Sequence, residues 1–304
     1  MSIRRSRLSI GSVEHLCGIL EISKPQLYYI SRNIDGLYRP IKLKKPNGAY
    51  REITIPNGNL KSIQKKILKR ILETIPLNPW SHAYRKKHSP ITYAQPHVGA
   101  KFLATLDIED FFPSVSYRMV QRVFEKLGYP PDVSKALTRL ATYKGCLPQG
   151  APTSPYIANL VLDKTDRVLK GMCEQRSLAY GRLSDDIGIS GNRNFFGSIG
   201  NFVRVIEAHG FRESREKREL RGPSRRKFMA GLIVNDKLSV PKEQIKELRA
   251  IIHNCKRHGP SSQNRDNKPN FKKHLYGRVS YIRSVNQIAG DKLLTVLNEV
   301  DWDG

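Results

Sequence analysis

Alternating apolar and polar residues mark two stretches of the chain as β-strands. At 178–190, strand-type residues lie on both sides of two adjacent acids, Asp185 and Asp186, and predict a β-hairpin with the acids at its turn. At 101–112, apolar residues alternate with a second set that includes Asp107, and this period of two predicts a strand that carries an acid near its end. Both patterns place carboxylates at strand ends.

Two further hairpins and a series of helices complete the predicted elements. The first hairpin spans 38–56 with Asn-Gly at 47–48 in a type I′ turn, and the second spans 228–240 with its turn at 235–236. The basic side chains of the first hairpin suit either phosphate binding or a solvated face. Apolar residues at a helical period predict helices at 59–75, 116–127, 132–143, 154–176, 194–209, 241–257, 271–287 and 290–301.

Serine residues predict where several helices begin. Ser12 and Ser23 are expected to cap two short N-terminal helices. Such a pair is typical of a DNA-binding helix-turn-helix or of any small helical subdomain, and we favour the structural interpretation. Ser154 is expected to cap the helix at 154–176, with Pro155 at its first position.

Composition indicates the kind of partner. The chain has 53 Lys and Arg against 27 Asp and Glu, a net charge of +26 over 304 residues, which predicts a polyanionic partner. The basic residues are spread along the chain rather than concentrated on one amphipathic helix, so nucleic acid fits better than a membrane surface. No apolar run approaches the ~20 residues of a membrane span, and no signal peptide is evident. We therefore expect a cytoplasmic protein without membrane contact.

The paired acids allow two interpretations. Asp is an ordinary turn residue, and the pair taken alone favours that interpretation. Adjacent carboxylates also repel each other, and a cation between them relieves the repulsion. If the strand with Asp107 and the hairpin with Asp185 and Asp186 are neighbours in one sheet, their three carboxylates suit two-metal phosphoryl transfer with Mg²⁺.

Three segments resemble, in order, core motifs of reverse transcriptases. They are residues 106–114, Leu-Asp-Ile-Glu-Asp-Phe-Phe-Pro-Ser; 147–155, Leu-Pro-Gln-Gly-Ala-Pro-Thr-Ser-Pro; and 183–186, Leu-Ser-Asp-Asp. The resemblance extends over most of the chain. Segments at 94–97, 229–231 and 275–282 look most like the bacterial retron branch of that family.

The resemblance implies an α+β, right-hand polymerase fold with fingers, a palm that holds an antiparallel sheet, and a helical thumb. The expected divisions are an N-terminal helical region at 1–36, fingers at 37–100, a palm with part of the fingers at 101–235, and a thumb or RNA-binding region at 236–304. The implied activity is RNA-directed DNA synthesis.

The retron resemblance also implies particular partners and products. The chain would copy part of a cognate structured non-coding RNA into single-stranded DNA, using dNTPs and a priming 2′-hydroxyl of that RNA. The product would be a branched RNA-DNA hybrid called msDNA. A separate effector protein and a role in phage defence are further expectations.

Site residues follow from the resemblance, position by position. Two Mg²⁺ ions would be held by Asp107, Asp185, Asp186 and the carbonyl of Ile108. The nucleotide would be bound by Lys44, Arg51, Phe112, Gln149 and Gly150, with Phe112 excluding a 2′-hydroxyl or, alternatively, serving only as a core aromatic. Lys217 would donate a proton to the departing pyrophosphate or make a generic backbone contact. Leu183, Met229, Ala230 and Gly231 would contact primer and template, and His97 and Arg278 the RNA.

Three segments depart from the family pattern. Leu183 stands where an aromatic residue is usual, Tyr93 where Asn is usual, and Met229-Ala230 where Val-Thr is usual. Two alternatives therefore stay open: an intron-like or diversity-element reverse transcriptase, against which Gln149 counts, and a non-catalytic RNA-binding scaffold, against which the intact acids count.

Overall fold

A computed structural model of the chain describes residues 9–44, 48 and 50–302. The side chains of Lys44 and Arg51 and the predicted turn residue Asn47 lie outside this description. The helices are α1 (Val13–Leu20), α2 (Lys24–Arg32), α3 (Gly58–Arg70), α4 (Pro90–Ala94), α5 (Phe111–Ser114), α6 (Tyr117–Lys126), α7 (Pro131–Ala141), α8 (Ser154–Glu174), α9 (Ile199–Ala208), α10 (Lys242–His258), α11 (Phe271–Val285) and α12 (Gln287–Asn298). The strands are β1 (Tyr38–Lys44), β2 (Tyr50–Pro56), β3 (Phe102–Asp107), β4 (Ala179–Leu183), β5 (Asp186–Gly191), β6 (Glu219–Arg221), β7 (Phe228–Met229) and β8 (Leu232–Ile233).

A four-stranded sheet lies at the centre of the structure. Its order is β4-β5-β3-β6, and every neighbouring pair is antiparallel. The hairpin of β4 and β5 was predicted, as was β3. The edge strand β6 was not predicted, because its residues are largely exposed and show no alternation of burial.

Two clusters of buried apolar side chains hold the helices against the strands. One contains side chains of the first three helices, of the four helices from α6 through α9, and of one side of the central sheet. The other joins α10 to α12 with the short β7–β8 hairpin and with Tyr93 and Leu103. Helices packed on an antiparallel sheet confirm the α+β class. The divisions expected at 36, 100 and 235 stay predictions.

The N-terminal caps were predicted correctly. The side chain of Ser12 accepts a hydrogen bond from the His15 backbone N–H, and Ser23 forms a reciprocal capping box with Gln26. The prediction for Ser154 was wrong: it lies inside α8, whereas Thr153 occupies the cap position without a side-chain hydrogen bond.

Several predicted elements differ in extent from the observed ones. The helix expected at 59–75 ends at Arg70 and continues as a 3₁₀ turn at Leu72–Thr74. The strand expected at 101–112 ends at Asp107, since Asp110 adopts a left-handed φ of 43° and α5 follows. The chain expected as one hairpin at 228–240 does reverse near 235–236, where Ile233 and Ser239 exchange backbone hydrogen bonds, but a second turn that was not predicted lies at 230–231, where both residues have positive φ.

Membrane-spanning elements were not expected. In the part of the chain that the structure describes, none of the helices combines the length and apolar character needed to cross a bilayer.

Candidate active site

The register of the central sheet brings the three aspartates to one end of it. Asp107, the last residue of β3, is paired directly with Asp186, the first residue of β5. Ser184 and Asp185 form the turn between β4 and β5, and the carbonyl of Asp185 accepts a hydrogen bond from the Ile108 N–H at 3.1 Å. The strand pairing thus joins two segments that are distant in sequence and meets the condition on which the three-carboxylate site depended.

Burial and the repulsion of neighbouring carboxylates disfavour the charged forms of Asp107 and Asp186. Burial raises the pKa of Asp107, the ammonium group of Lys217 opposes the rise, and the charge of Asp185 adds to it. Burial likewise raises the pKa of Asp186 to about 7; the Tyr93 hydroxyl opposes this rise, and the charges of Asp185 and Asp107 add to it. The site therefore carries more negative than positive charge.

The donor atoms fit a divalent metal ion. Carboxylate oxygens are the ligands that Mg²⁺ prefers, and a dication would offset the repulsion that raises the pKa of Asp186. Within the described residues no three acidic, His or Cys side chains form a preformed metal cluster. Instead, Lys217 Nζ lies 2.7 Å from Asp107 Oδ1. A metal ion bound through Asp107 Oδ1 would therefore compete with Lys217 for that oxygen.

A buried ion pair supports the turn that carries Asp185. Arg182 is fully buried on β4 and donates to both carboxylate oxygens of Asp166 on α8, at 2.7 Å each. Its Nη1 also donates to the Ser184 carbonyl at 2.8 Å. Our sequence analysis missed Arg182 and Asp166, although an Arg within an otherwise apolar strand was an available signal.

The other face of the sheet is contacted through a pair of glycines. Gly181 and Gly188 are cross-strand partners on β4 and β5. A Cβ atom at Gly188 would lie 2.2 Å from Met229 Cε and 3.0 Å from the Tyr93 hydroxyl. The absence of side chains at these positions lets the 90–97 segment and the β7–β8 hairpin pack directly on the central sheet.

His97 lies inside the protein. Its side chain is fully buried, and its Nδ1 is hydrogen-bonded to Ser190 Oγ of β5 at 2.7 Å. Burial lowers the pKa of His97 to about 3, so the imidazole is neutral at physiological pH. The predicted role of His97 in RNA binding stays a prediction, and in this conformation its effect would be transmitted through the sheet.

The residues assigned to the nucleotide lie on three parts of the structure: Phe112 on α5, Gln149 and Gly150 on the loop before α8, and Lys44 and Arg51 on β1 and β2. Phe112 is half-buried, and its ring centroid lies 5.2 Å from that of Phe111, which is buried in the core. Gln149 is exposed. A Cβ atom at Gly150 would lie 2.6 Å from the Thr54 carbonyl oxygen, so this glycine allows close contact with β2.

The residues assigned to primer, template and RNA are distributed between the sheet and the C-terminal helices. Leu183 packs against the C-terminal cluster, and Met229 is buried in it. Ala230 and Gly231 form the β7–β8 turn. Arg278 on α11 donates to Glu247 at 3.0 Å. Their proposed contacts with nucleic acid stay predictions.

Comparison with known proteins identifies the family. The protein-family model described as "Reverse transcriptase (RNA-dependent DNA polymerase)" matches residues 43–219 of the sequence. Retron Ec86 reverse transcriptase of Escherichia coli is 33% identical over 92% of this chain and 86% of its own length. Retron Se72 reverse transcriptase of Salmonella heidelberg is 30% identical over 96% of this chain and 80% of its own length. Retron Mx162 reverse transcriptase of Myxococcus xanthus is 28% identical over 93% of this chain and 65% of its own length. The chain therefore belongs to the retron-type reverse transcriptases and is an RNA-directed DNA polymerase with the right-hand fold.

Proposed function

We propose that this polymerase copies part of a cognate structured non-coding RNA into single-stranded DNA. Priming would come from a 2′-hydroxyl of the same RNA, so that the product is a branched msDNA. The observation that carries the proposal is the register that pairs Asp107 with Asp186 and places Asp185 in the adjoining turn, in a chain of the retron family. The net charge of +26 supports an extended nucleic-acid partner.

The acids would perform the metal-dependent part of the reaction. Asp107, Asp185 and Asp186, with the carbonyl of Ile108, would hold two Mg²⁺ ions. Bound there, these ions stabilise the attacking oxygen and the leaving pyrophosphate. Lys217 lies beside Asp107, where its ammonium group can neutralise the carboxylate before metal binds and donate a proton to pyrophosphate afterwards.

The surrounding residues would bind and select the dNTP. Lys44 and Arg51 would contact the triphosphate, Phe112 would exclude the 2′-hydroxyl of a ribonucleotide, and Gln149 and Gly150 would line the pocket. The roles of Phe112 and Gly150 are supported by the half-buried position of Phe112 on α5, which follows the strand of Asp107, and by the close packing of Gly150 on β2.

Nucleic acid would lie across the C-terminal part of the structure. Leu183, Met229, Ala230 and Gly231 would hold the primer end, because they lie beside or against the strands that carry the acids. His97 would position this surface from within, and Arg278 would contact RNA. The proposal further includes a separate effector protein, phage defence, and a cytoplasmic location where dNTPs and transcripts are available.

The branched product gives a direct test of the priming step. The protein, expressed with its flanking locus, should co-purify with DNA that resists separation from RNA until a 2′,5′-debranching enzyme is added. Asp185→Asn should abolish this DNA, and Asp236→Asn, an exposed acid on the 235–236 turn, should not. Co-purified DNA that separates from RNA without debranching would contradict 2′-hydroxyl priming.

A further inference from the structure

Tyr84 projects towards the candidate active site from a loop in which both of its neighbours in sequence are anchored by hydrogen bonds. The Ala83 carbonyl accepts a hydrogen bond from Asn159 Nδ2 at 3.0 Å. The Arg85 guanidinium donates to the Asn78 carbonyl at 2.6 Å. Between these anchors Tyr84 adopts a left-handed φ of 60°, which is uncommon for an aromatic residue. The loop therefore holds Tyr84 in a defined place although its side chain is half-exposed.

The ring and the hydroxyl of Tyr84 each contact a different part of the site. The hydroxyl oxygen lies 2.9 Å from Ser184 Oγ, within hydrogen-bonding distance. Ser184 has a left-handed φ of 63° and precedes Asp185 in the turn. The Tyr84 ring centroid lies 6.3 Å from that of Phe112, the residue proposed to contact the sugar. Tyr84 thus bridges the acid-bearing turn and the proposed sugar gate.

The exposed position of Tyr84 suits contact with a substrate pocket rather than a role in the core. Its side chain is 49% exposed, whereas Phe111 on the other side of Phe112 is 4% exposed. Phe112 thus has one buried ring and one exposed ring within aromatic contact distance. Because Phe111 is held in the core, the Tyr84 ring is placed to limit movement of Phe112 away from it.

We propose that Tyr84 is a positioning residue that determines sugar specificity and turnover. Its ring holds Phe112 against the position of the incoming sugar, so that a deoxynucleoside triphosphate is accepted and a ribonucleoside triphosphate is rejected. Its hydroxyl, through Ser184, holds the turn that carries Asp185. The inference rests on the proposed function, because it assumes the proposed roles of Phe112 and Asp185.

The two contacts can be separated by substitution. Tyr84→Phe keeps the ring and removes the hydrogen bond, and Ser184→Ala removes the same bond from its other side. Each should lower kcat by about three- to tenfold, the loss expected for one hydrogen bond, without changing the preference for dNTP over rNTP. Because both variants remove one bond, the double variant should lose no more than either single variant.

Removing the ring should change specificity. In Tyr84→Ala, Phe112 loses its outer neighbour, and the ratio of kcat/KM for dNTP to that for rNTP should fall by about two- to tenfold. Tyr29→Ala is the matched control, since Tyr29 is 65% exposed on α2, and that variant should behave as wild type. Thermal unfolding of all variants should stay close to wild type, because both tyrosines are largely exposed.

Single-nucleotide extension of an RNA-templated primer, with each dNTP and its matching rNTP, measures these quantities together. An unchanged sugar ratio in Tyr84→Ala overturns the role of the ring. Fully additive losses in the double variant, or wild-type kcat in Tyr84→Phe, overturn the role of the hydroxyl. If the wild type is active and the Tyr84 variants have the same kcat and sugar ratio as the wild type, this inference alone is refuted. If the wild type incorporates none of the dNTPs, the proposed function is refuted as well.

Discussion

Replacing Arg182 with Gln is expected to destabilise the protein strongly and to disturb the active-site turn. Arg182 and Asp166 have side chains that are 0% and 1% exposed, so the substitution leaves a buried carboxylate without its cation. Breaking a buried pair in this way costs about 3–5 kcal/mol of unfolding free energy. Asp166 would keep hydrogen bonds from Tyr180 and Asn78, which places the expected loss at the lower end of that range, about 3 kcal/mol.

Urea unfolding followed by circular dichroism measures this loss. The matched control is Arg167→Gln, because Arg167 lies on α8 next to Asp166 and pairs with Asp163 through side chains that are 56% and 36% exposed. Such an exposed pair contributes about 0–1 kcal/mol. Equal losses in Arg182→Gln and Arg167→Gln would refute the argument from burial.

A compensating variant tests the mechanism of the loss. Arg182→Met combined with Asp166→Leu removes both buried charges, and it should be more stable than Arg182→Met alone. The double variant should nevertheless lose turnover, because the Ser184 carbonyl no longer receives the Arg182 hydrogen bond. A double variant less stable than Arg182→Met would show that the uncompensated charge is not the cause.

Three other substitutions test separate parts of the structure. Phe112→Ala should admit ribonucleotides and lower the dNTP-to-rNTP preference by about tenfold or more in primer extension. Gly150→Ala would bring a Cβ atom to 2.6 Å from the Thr54 carbonyl oxygen, and it should cost about 1–3 kcal/mol in urea unfolding. Burial lowers the pKa of His97 from 6.5 to about 3, so the unfolded chain binds more protons between these values and stability should fall as pH falls through this window. The slope should be at most about 1.4 kcal/mol per pH unit, and it should be shallower in His97→Gln.

Each of these expectations has a contradicting result. Unchanged sugar preference in Phe112→Ala would remove that residue from nucleotide selection. For Gly150, the control is Gly171→Ala on α8, where a Cβ atom meets nothing within 4 Å, and an equal or larger loss there would contradict the steric argument. Identical pH slopes for wild type and His97→Gln would mean that His97 does not titrate as its burial requires.

Local sequence patterns predicted much of the fold because the periodicity and the capping of a helix or strand depend on residues that are close in sequence. The apolar face of α1 at Val13, Leu16, Cys17 and Leu20 is buried as its period predicted, and Ser12 and Ser23 cap their helices. The strands that carry Asp107 and Asp186 were predicted from alternation, and their pairing brings the acids together. Periodicity alone, however, did not show that these strands are neighbours, and that expectation depended on the chemistry of the acids.

Other features depend on contacts between distant segments and had no local signal. The edge strand β6 forms because β3 offers a free edge, although two of its three residues are charged and none is buried. The pairing of Arg182 with Asp166 and the approach of Tyr84 to Ser184 each join separate elements. The additional turn at 230–231 was also missed, because it needs a left-handed φ at Ala230, a residue that seldom adopts it.

RNA-templated primer extension with Mg²⁺ tests the central claim most directly, namely that Asp107, Asp185 and Asp186 form the catalytic centre of an RNA-directed DNA polymerase. Wild type should incorporate dNTPs, Asp107→Asn, Asp185→Asn and Asp186→Asn should each abolish incorporation, and Asp236→Asn should have no effect. The folded state of each variant should be verified by circular dichroism. Full incorporation by folded Asp185→Asn, or none by wild type on any RNA template, would contradict the account.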